Sequence, residues 1–142
     1  MKKTMVIFAL AFVLILSACG EGSSAGGDSD IIVIGERFFV NQVVEIVVNA
    51  NQYMGRTIQF EGIFRAISNS QTGDSHFFVM RYTMGCCGIE MVGLELIMED
   101  GVPFGDDAWV EVTGVLERRD GLPMLRVTAI TEMDERGSEF VS

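Results

Sequence analysis

From Arg56 onward the chain alternates apolar and polar residues with a period of two, and twice it places a glycine in the middle of that alternation. A period of two is the pattern of β-strands with one buried face. Ile58, Phe60, Phe64 and Ala66 alternate with Gln59, Glu61 and Arg65 around Gly62, and Val110, Val112 and Leu116 share one face of Ala108–Glu117 around Gly114. A glycine inside a strand weakens it unless the strand must bend or approach another backbone closely, as at a barrel corner. Between these two segments lie His76–Thr83, apolar on both faces except at Arg81, and a run in which Val92, Leu94, Leu96 and Met98 alternate with Gly93, Glu95 and Glu99. Met124–Thr131 supplies a fifth strand with Leu125, Val127 and Ala129 inward. Polar or glycine-containing turns at 68–75, 100–107 and 119–121 separate the strands. Five strands with two central glycines predict a mainly β domain, a small five-stranded OB-like barrel whose closure removes exposed edges. A β-sandwich is the alternative.

The segments before Arg56 add less. Ile31–Ile34 is a short β-branched run suited to an edge strand. In Phe39–Tyr53 the polar residues Asn41, Gln42, Glu45, Asn49 and Gln52 recur every three or four positions. That spacing predicts one helix preceding the barrel, with Val40, Val43, Val44 and Val47 inward and Gly55 ending it. The valine content lowers helix propensity and leaves a strand open. Phe38, Phe39, Phe77 and Phe78 read as core, and Trp109 as a core or rim aromatic. The expected domain is residues 31–133, followed by a polar tail at 134–142.

The first residues are organised for export. Lys2 and Lys3 precede an apolar run from Met5 to Leu16, too short to span a bilayer but suited to a signal peptide. Leu16-Ser17-Ala18-Cys19 resembles a bacterial lipobox, which implies cleavage after residue 18 and lipidation of Cys19. Residues 19–30, rich in Gly and Ser, then form a flexible tether. The expected location is the cell membrane, anchored by lipid on its extracytoplasmic face. Cleavage removes two lysines and no acid from ten basic and twenty acidic residues, leaving a formal charge of −12 with arginine as the only base. Such a chain is repelled by phosphate backbones, so no nucleic-acid partner is expected.

With Cys19 consumed by lipid, Cys86 and Cys87 are an even pair outside the cytoplasm, where oxidation is permitted. They lie in a glycine-bracketed turn, Gly85-Cys86-Cys87-Gly88, between two apolar runs. A catalytic thiol needs a base, and the sole histidine, His76, stands ten residues away along extended chain of about 3.3 Å per residue. The chain is therefore read as non-enzymatic. Two readings of the pair remain. One is a vicinal disulfide, or two thiols packed as small hydrophobes, in a structural or protein-interaction module. The other is a metal site in which Cys86 and Cys87 supply thiolates for zinc or copper(I), with Glu90 the nearest carboxylate and Asp74 and His76 more distant candidates. A thiol-redox enzyme ranks third, because the two-residue spacing between cysteines is absent. Arg81, alone in its apolar strand, is expected to pair with Glu90 or Glu95, or to orient the turn.

These residues resemble the C-terminal domain of the YcgQ family, described as a subunit of a membrane permease complex. The resemblance spans roughly Ile32 to Ile130 and is carried by Asn49 to Tyr53 with Gly55-Arg56, Gly62 to Arg65, Met80-Arg81-Tyr82, Cys86-Cys87, Val92-Gly93-Leu94 and Trp109 to Gly114. The cysteine pair and the tryptophan segment are its specific parts. Where the family has Ala-Asp after the cysteines, this chain has Ile89-Glu90, and a lipid anchor stands where family members carry transmembrane helices. The resemblance implies an OB-like barrel and a non-enzymatic role beside a permease, in metal, specifically zinc, homeostasis.

Overall fold

The computed structural model describes residues 30–99 and 104–142; the expected export signal, Cys19 and all of the expected tether except Asp30 lie outside the described residues. In chain order the elements are β1 (Ile32–Ile34), a single 3-10 turn (Glu36–Phe38), α1 (Phe39–Val48), α2 (Ala50–Tyr53), β2 (Thr57–Ser68), β3 (Ser75–Gly85), β4 (Gly88–Ile97), β5 (Trp109–Arg119), β6 (Leu122–Glu132) and β7 (Phe140–Val141). None of the described helices is long and apolar enough to cross a membrane.

Five strands close on themselves. β2 pairs antiparallel with β5, β5 with β6, β3 with β4 and β2 with β3, while β4 and β6 meet in parallel. The result is a ring in the order β2-β5-β6-β4-β3 and back to β2, preceded by a helical stretch, as the alternation predicts. β1 adds in parallel to β2 and β7 in parallel to β3, outside the ring.

Closure depends on the glycines. β2 pairs with β5 from Thr57 to Ile63 and with β3 from Ile63 to Ser68, so it changes partners at Gly62-Ile63. A Cβ on Gly62 would stand 2.9 Å from the Met80 carbonyl oxygen, closer than side chains approach backbone. The second predicted bend also holds. The β5–β6 register slips between Thr113 and Gly114, where Thr113 opposes Ala129 but Gly114 opposes Val127. Thr128 is the extra residue of a β-bulge, which bends a strand and raises its local twist.

That bulge corrects one expectation. Leu125 is buried and Val127 half-buried as predicted, but beyond Thr128 the parity flips, so Ala129 is exposed and Ile130 packs against the core instead. The helix is also rotated from the predicted orientation. Its buried stripe is Phe39, Val43, Ile46 and Ala50, whereas Val44 and Val47 are exposed and Val40 is half-buried. Phe39 and Ile46 bring more apolar surface than the valines, and burial is proportional to that surface. Phe39 meets Phe60 edge-on at 5.8 Å, capping a core of Ile58, Phe64, Val79, Leu94, Leu96, Val110, Val112, Leu116 and Leu125. Phe38, expected in the core, is exposed. Residues 134–142, read from sequence as a polar tail, are docked: β7 lies on β3, and the Tyr82 amide donates to the Glu139 carbonyl at 2.8 Å.

Gly93 opposes Met80 across β3–β4, and a Cβ there would strike the β3 backbone at Val79 and Met80. Gly93→Ala is expected to cost about 1–3 kcal/mol, the range for overpacking a filled site. Gly105→Ala, where a Cβ meets nothing within 4 Å, should be near neutral. Urea unfolding of the two variants checks the contrast.

Candidate functional site

The cysteines sit at the tip of the β3–β4 hairpin. The ladder runs from Phe77 opposite Leu96 to Gly85 opposite Gly88, so Cys86 and Cys87 alone turn the chain. Neither has a positive φ; Gly88 takes it up at 141°. That is a conformation side chains rarely adopt, which explains why a glycine follows the pair. The two Sγ atoms are 3.4 Å apart, and both thiols are free and exposed.

This end of the hairpin extends past the core. Met84, Ile89, Glu90 and Met91 are exposed although they occupy both faces of the ladder. Met84 opposes Ile89 and Tyr82 opposes Met91, which puts Met84 and Met91 on one face as diagonal neighbours. Glu90 opposes Thr83, on the other face, and its carboxylate lies over Gly85, in the space a Cβ would fill. Glu90 is thus brought to the foot of the turn. Among the described residues, however, no three His, Cys, Asp or Glu side chains converge as a metal-ligand set.

The more distant candidates are held elsewhere. His76 begins β3, at the opposite end from the cysteines, and its Nδ1 is 2.6 Å from Glu95 Oε1. Asp74 is exposed in the turn before it. Neither is brought to the thiols.

Arg81 also has partners other than those predicted. Glu95 opposes Phe78, on the reverse face of the sheet from Arg81, and Glu90 lies toward the tip while the guanidinium turns toward β2. Its Nε donates to the Glu61 carbonyl at 2.7 Å, and one terminal nitrogen donates to the Ser138 carbonyl at 3.1 Å and Glu36 Oε1 at 3.3 Å. The same group lies 5.0 Å from the Phe39 ring centre and 4.8 Å from that of Trp109. Trp109 is buried, and its Nε1 donates to Glu61 Oε2 at 3.2 Å. Gly137 packs against Trp109, Glu36 and Glu61, where an added Cβ would stand 2.9 Å from Glu36 Oε1 and displace it. With only 3% of the Arg81 side chain exposed, burial lowers its pKa, and the charges of Glu36 and Glu61 oppose that shift. It remains a cation, as arginine does in proteins.

Glu36 is the hinge of this cluster. Its Oε1 accepts from the Ser138 amide at 2.6 Å as well as from Arg81. The Ser138 hydrogen bond, helped by the Arg81 charge, holds its pKa below the ordinary glutamate range against an opposing effect of burial. Sequence reasoning singled out Arg81 but not Glu36 or Ser138, which lie 45 residues before and 57 after it. The one available signal was the Phe140-Val141 pair inside an otherwise polar tail.

A second ionic cluster fastens the outer surface. Arg65 reaches Tyr82 Oη at 2.9 Å, Asp106 Oδ2 at 3.1 Å and Asp107 Oδ1 at 3.0 Å. Arg136 joins Asp107 to Glu139, and Tyr82 packs on Phe140 at 5.4 Å.

The family described as DUF1980 C-terminal domain matches residues 21–141, which takes in the docked tail as well as the ring. No curated protein matches the chain.

Because its folded pKa is lowered, Glu36 contributes stability that is fully present above its unfolded value of about 4.3 and is lost as pH falls through the folded value. Protection of the Ser138 and Tyr82 amides from hydrogen exchange, taken relative to the intrinsic rate at each pH, should therefore be high at pH 7 and fall as acid protonates Glu36. In Glu36→Gln the Ser138 amide should already exchange faster at pH 7, with most of the acid step gone. An unchanged acid step in that variant would assign the transition to another carboxylate.

Proposed function

The chain belongs to the DUF1980 C-terminal domain family, and from that premise we propose that it is a lipid-anchored extracytoplasmic binding module that holds a thiophilic metal ion at Cys86 and Cys87 beside a membrane permease. The observation that carries this reading is the pair of free, exposed thiols 3.4 Å apart on a hairpin that extends past the core. Two thiolates of a tetrahedral zinc site, each at about 2.3 Å from the metal, stand roughly 3.8 Å from one another. The sulfurs need open by only a few tenths of an ångström to receive the ion. Zinc is the ion to which the YcgQ resemblance points, and Glu90 is the carboxylate placed to approach it from the foot of the turn. The role is binding rather than catalysis: His76, the sole histidine, is engaged with Glu95 at the far end of β3.

Location rests on Leu16-Ser17-Ala18-Cys19 and the tether that follows. The acidic mature chain disfavours direct contact with anionic head groups, so the lipid has to hold it at the membrane.

Mature protein purified under reducing conditions is expected to bind one zinc per chain, and Cys86→Ser with Cys87→Ser none, by elemental analysis. Glu90→Gln should weaken zinc by roughly tenfold, the low end for a group that tunes a metal site. Equal metal in the wild type and the double serine variant would sink the metal reading. An intact mass showing a Cys86–Cys87 disulfide in protein from the native envelope would favour a structural role for the turn. Separately, Cys19→Ala should move the protein from the membrane fraction to the soluble one.

A further inference from the structure

We infer that the projecting hairpin selects copper(I), with Met84 adding a thioether sulfur to the two thiolates. The inference rests on the proposed thiolate site and names the metal it prefers. The hairpin tip offers donors of two kinds on two faces. On one face stand Met84 and Met91, diagonal neighbours by register and 72% and 50% exposed; on the other stands the carboxylate of Glu90. The thiols lie at the tip, where both faces end, so whichever face supplies the remaining ligands decides the metal.

Several features favour the sulfur face. Thiolate and thioether are soft donors, and together they select copper(I) over harder divalent ions, whereas a carboxylate suits harder ones. Met84 is two residues before Cys86, and Met91 is diagonal to it across the ladder. Met84 is long, unbranched and free of the core, so it can swing to the thiols, whereas Met91, four residues from Cys87 at about 3.3 Å each, stands beyond a side chain's reach of them. Glu90, by contrast, is on the reverse face over Gly85, and among the described residues it forms no converging set of three His, Cys, Asp or Glu ligands. Charge balance points the same way. Two thiolates and copper(I) make a complex of charge −1 that needs only neutral donors to complete it, which thioethers are. On binding, both thiols release their protons to solvent; the copper enters and stays as copper(I), and nothing is oxidised or reduced.

The test titrates reduced mature protein anaerobically with copper(I) against a chromophoric copper(I) chelator, and with zinc against a zinc indicator. Met84→Leu keeps approximate size and hydrophobicity and removes only the sulfur. It is expected to weaken copper(I) by at least the roughly tenfold that even outer-shell partners contribute, while zinc affinity stays within about twofold. Glu90→Gln is expected to do the reverse. X-ray absorption should show more than two sulfurs around copper in the wild type and only two in the leucine variant. Equal copper(I) affinity in those two proteins, or a two-sulfur shell in the wild type, overturns the methionine assignment alone. Copper(I) and zinc both bound as tightly by the double serine variant as by the wild type would overturn the thiolate site beneath it.

Discussion

The architecture depends on one buried guanidinium. Arg81 sits at the root of the β3–β4 hairpin and bonds to a β2 carbonyl, to the carboxylate of the 3-10 turn and to a carbonyl of the C-terminal segment. Removing such a cation from water is costly, and proteins retain one only where its donors are satisfied. Here the donors meet two carbonyls and a carboxylate, and no described buried side-chain nitrogen or oxygen lacks a partner. The rings of Phe39 and Trp109 add cation–π attraction, which strengthens as water is excluded. Lysine would not serve in its place, because a single ammonium on a flexible stem cannot span three acceptors in a fixed fork and stack on two rings.

Three consequences follow from that anchor. Glu36 and Ser138 are separated by 102 residues, yet the same carboxylate oxygen serves both Ser138 and Arg81. The C-terminal segment is therefore bound to the ring by the charge at its centre as well as by the short β7 ladder. A two-residue strand is marginal alone, so the Arg81 contacts, the Arg136 ion pairs and the Tyr82–Phe140 packing have to hold it together. The hairpin, finally, is rigid at its root and free at its tip. A rigid root with an exposed apex is how folds commonly present ligand-binding residues.

The ring was legible in the sequence because its signals are local. Period-two alternation specified the five strands, and Gly62 and Gly114 marked the two places where backbone must bend or approach backbone. The errors share a cause, which is that they depend on what one element meets in another. The face of α1 is decided by the Phe60 ring it covers, not by its own valine count. The inward parity of β6 changes at Thr128, where an extra residue leaves no mark in composition. Arg81 stood out as a charge in an apolar strand, but its partners come from the 3-10 turn and the tail, and long-range pairing has no periodicity to read. The cysteine turn was visible from its glycines. The sorting of sulfur and carboxylate onto opposite faces emerged only with the register.

That sorting also bears on the strongly acidic charge. A chain of formal charge −10 raises the concentration of any cation near its surface, without discriminating among them. Were charge the basis of selection, carboxylates would have to converge, and among the described residues no such cluster does. For the proposed site, discrimination would therefore come from donor softness, and among the described residues sulfur outside the core is concentrated at the hairpin apex. Oxidation of the pair competes for the same two atoms. Adjacent cysteines have Cα atoms about 3.8 Å apart, short of the 4.4–6.8 Å range usual for disulfides, so closing that bond demands more distortion than admitting a metal between sulfurs already 3.4 Å apart. In a glycine-bracketed turn held at its root by Arg81, the proposed chelation thus asks less of the backbone than closure does, and the side chains flanking the turn would set which ion it takes.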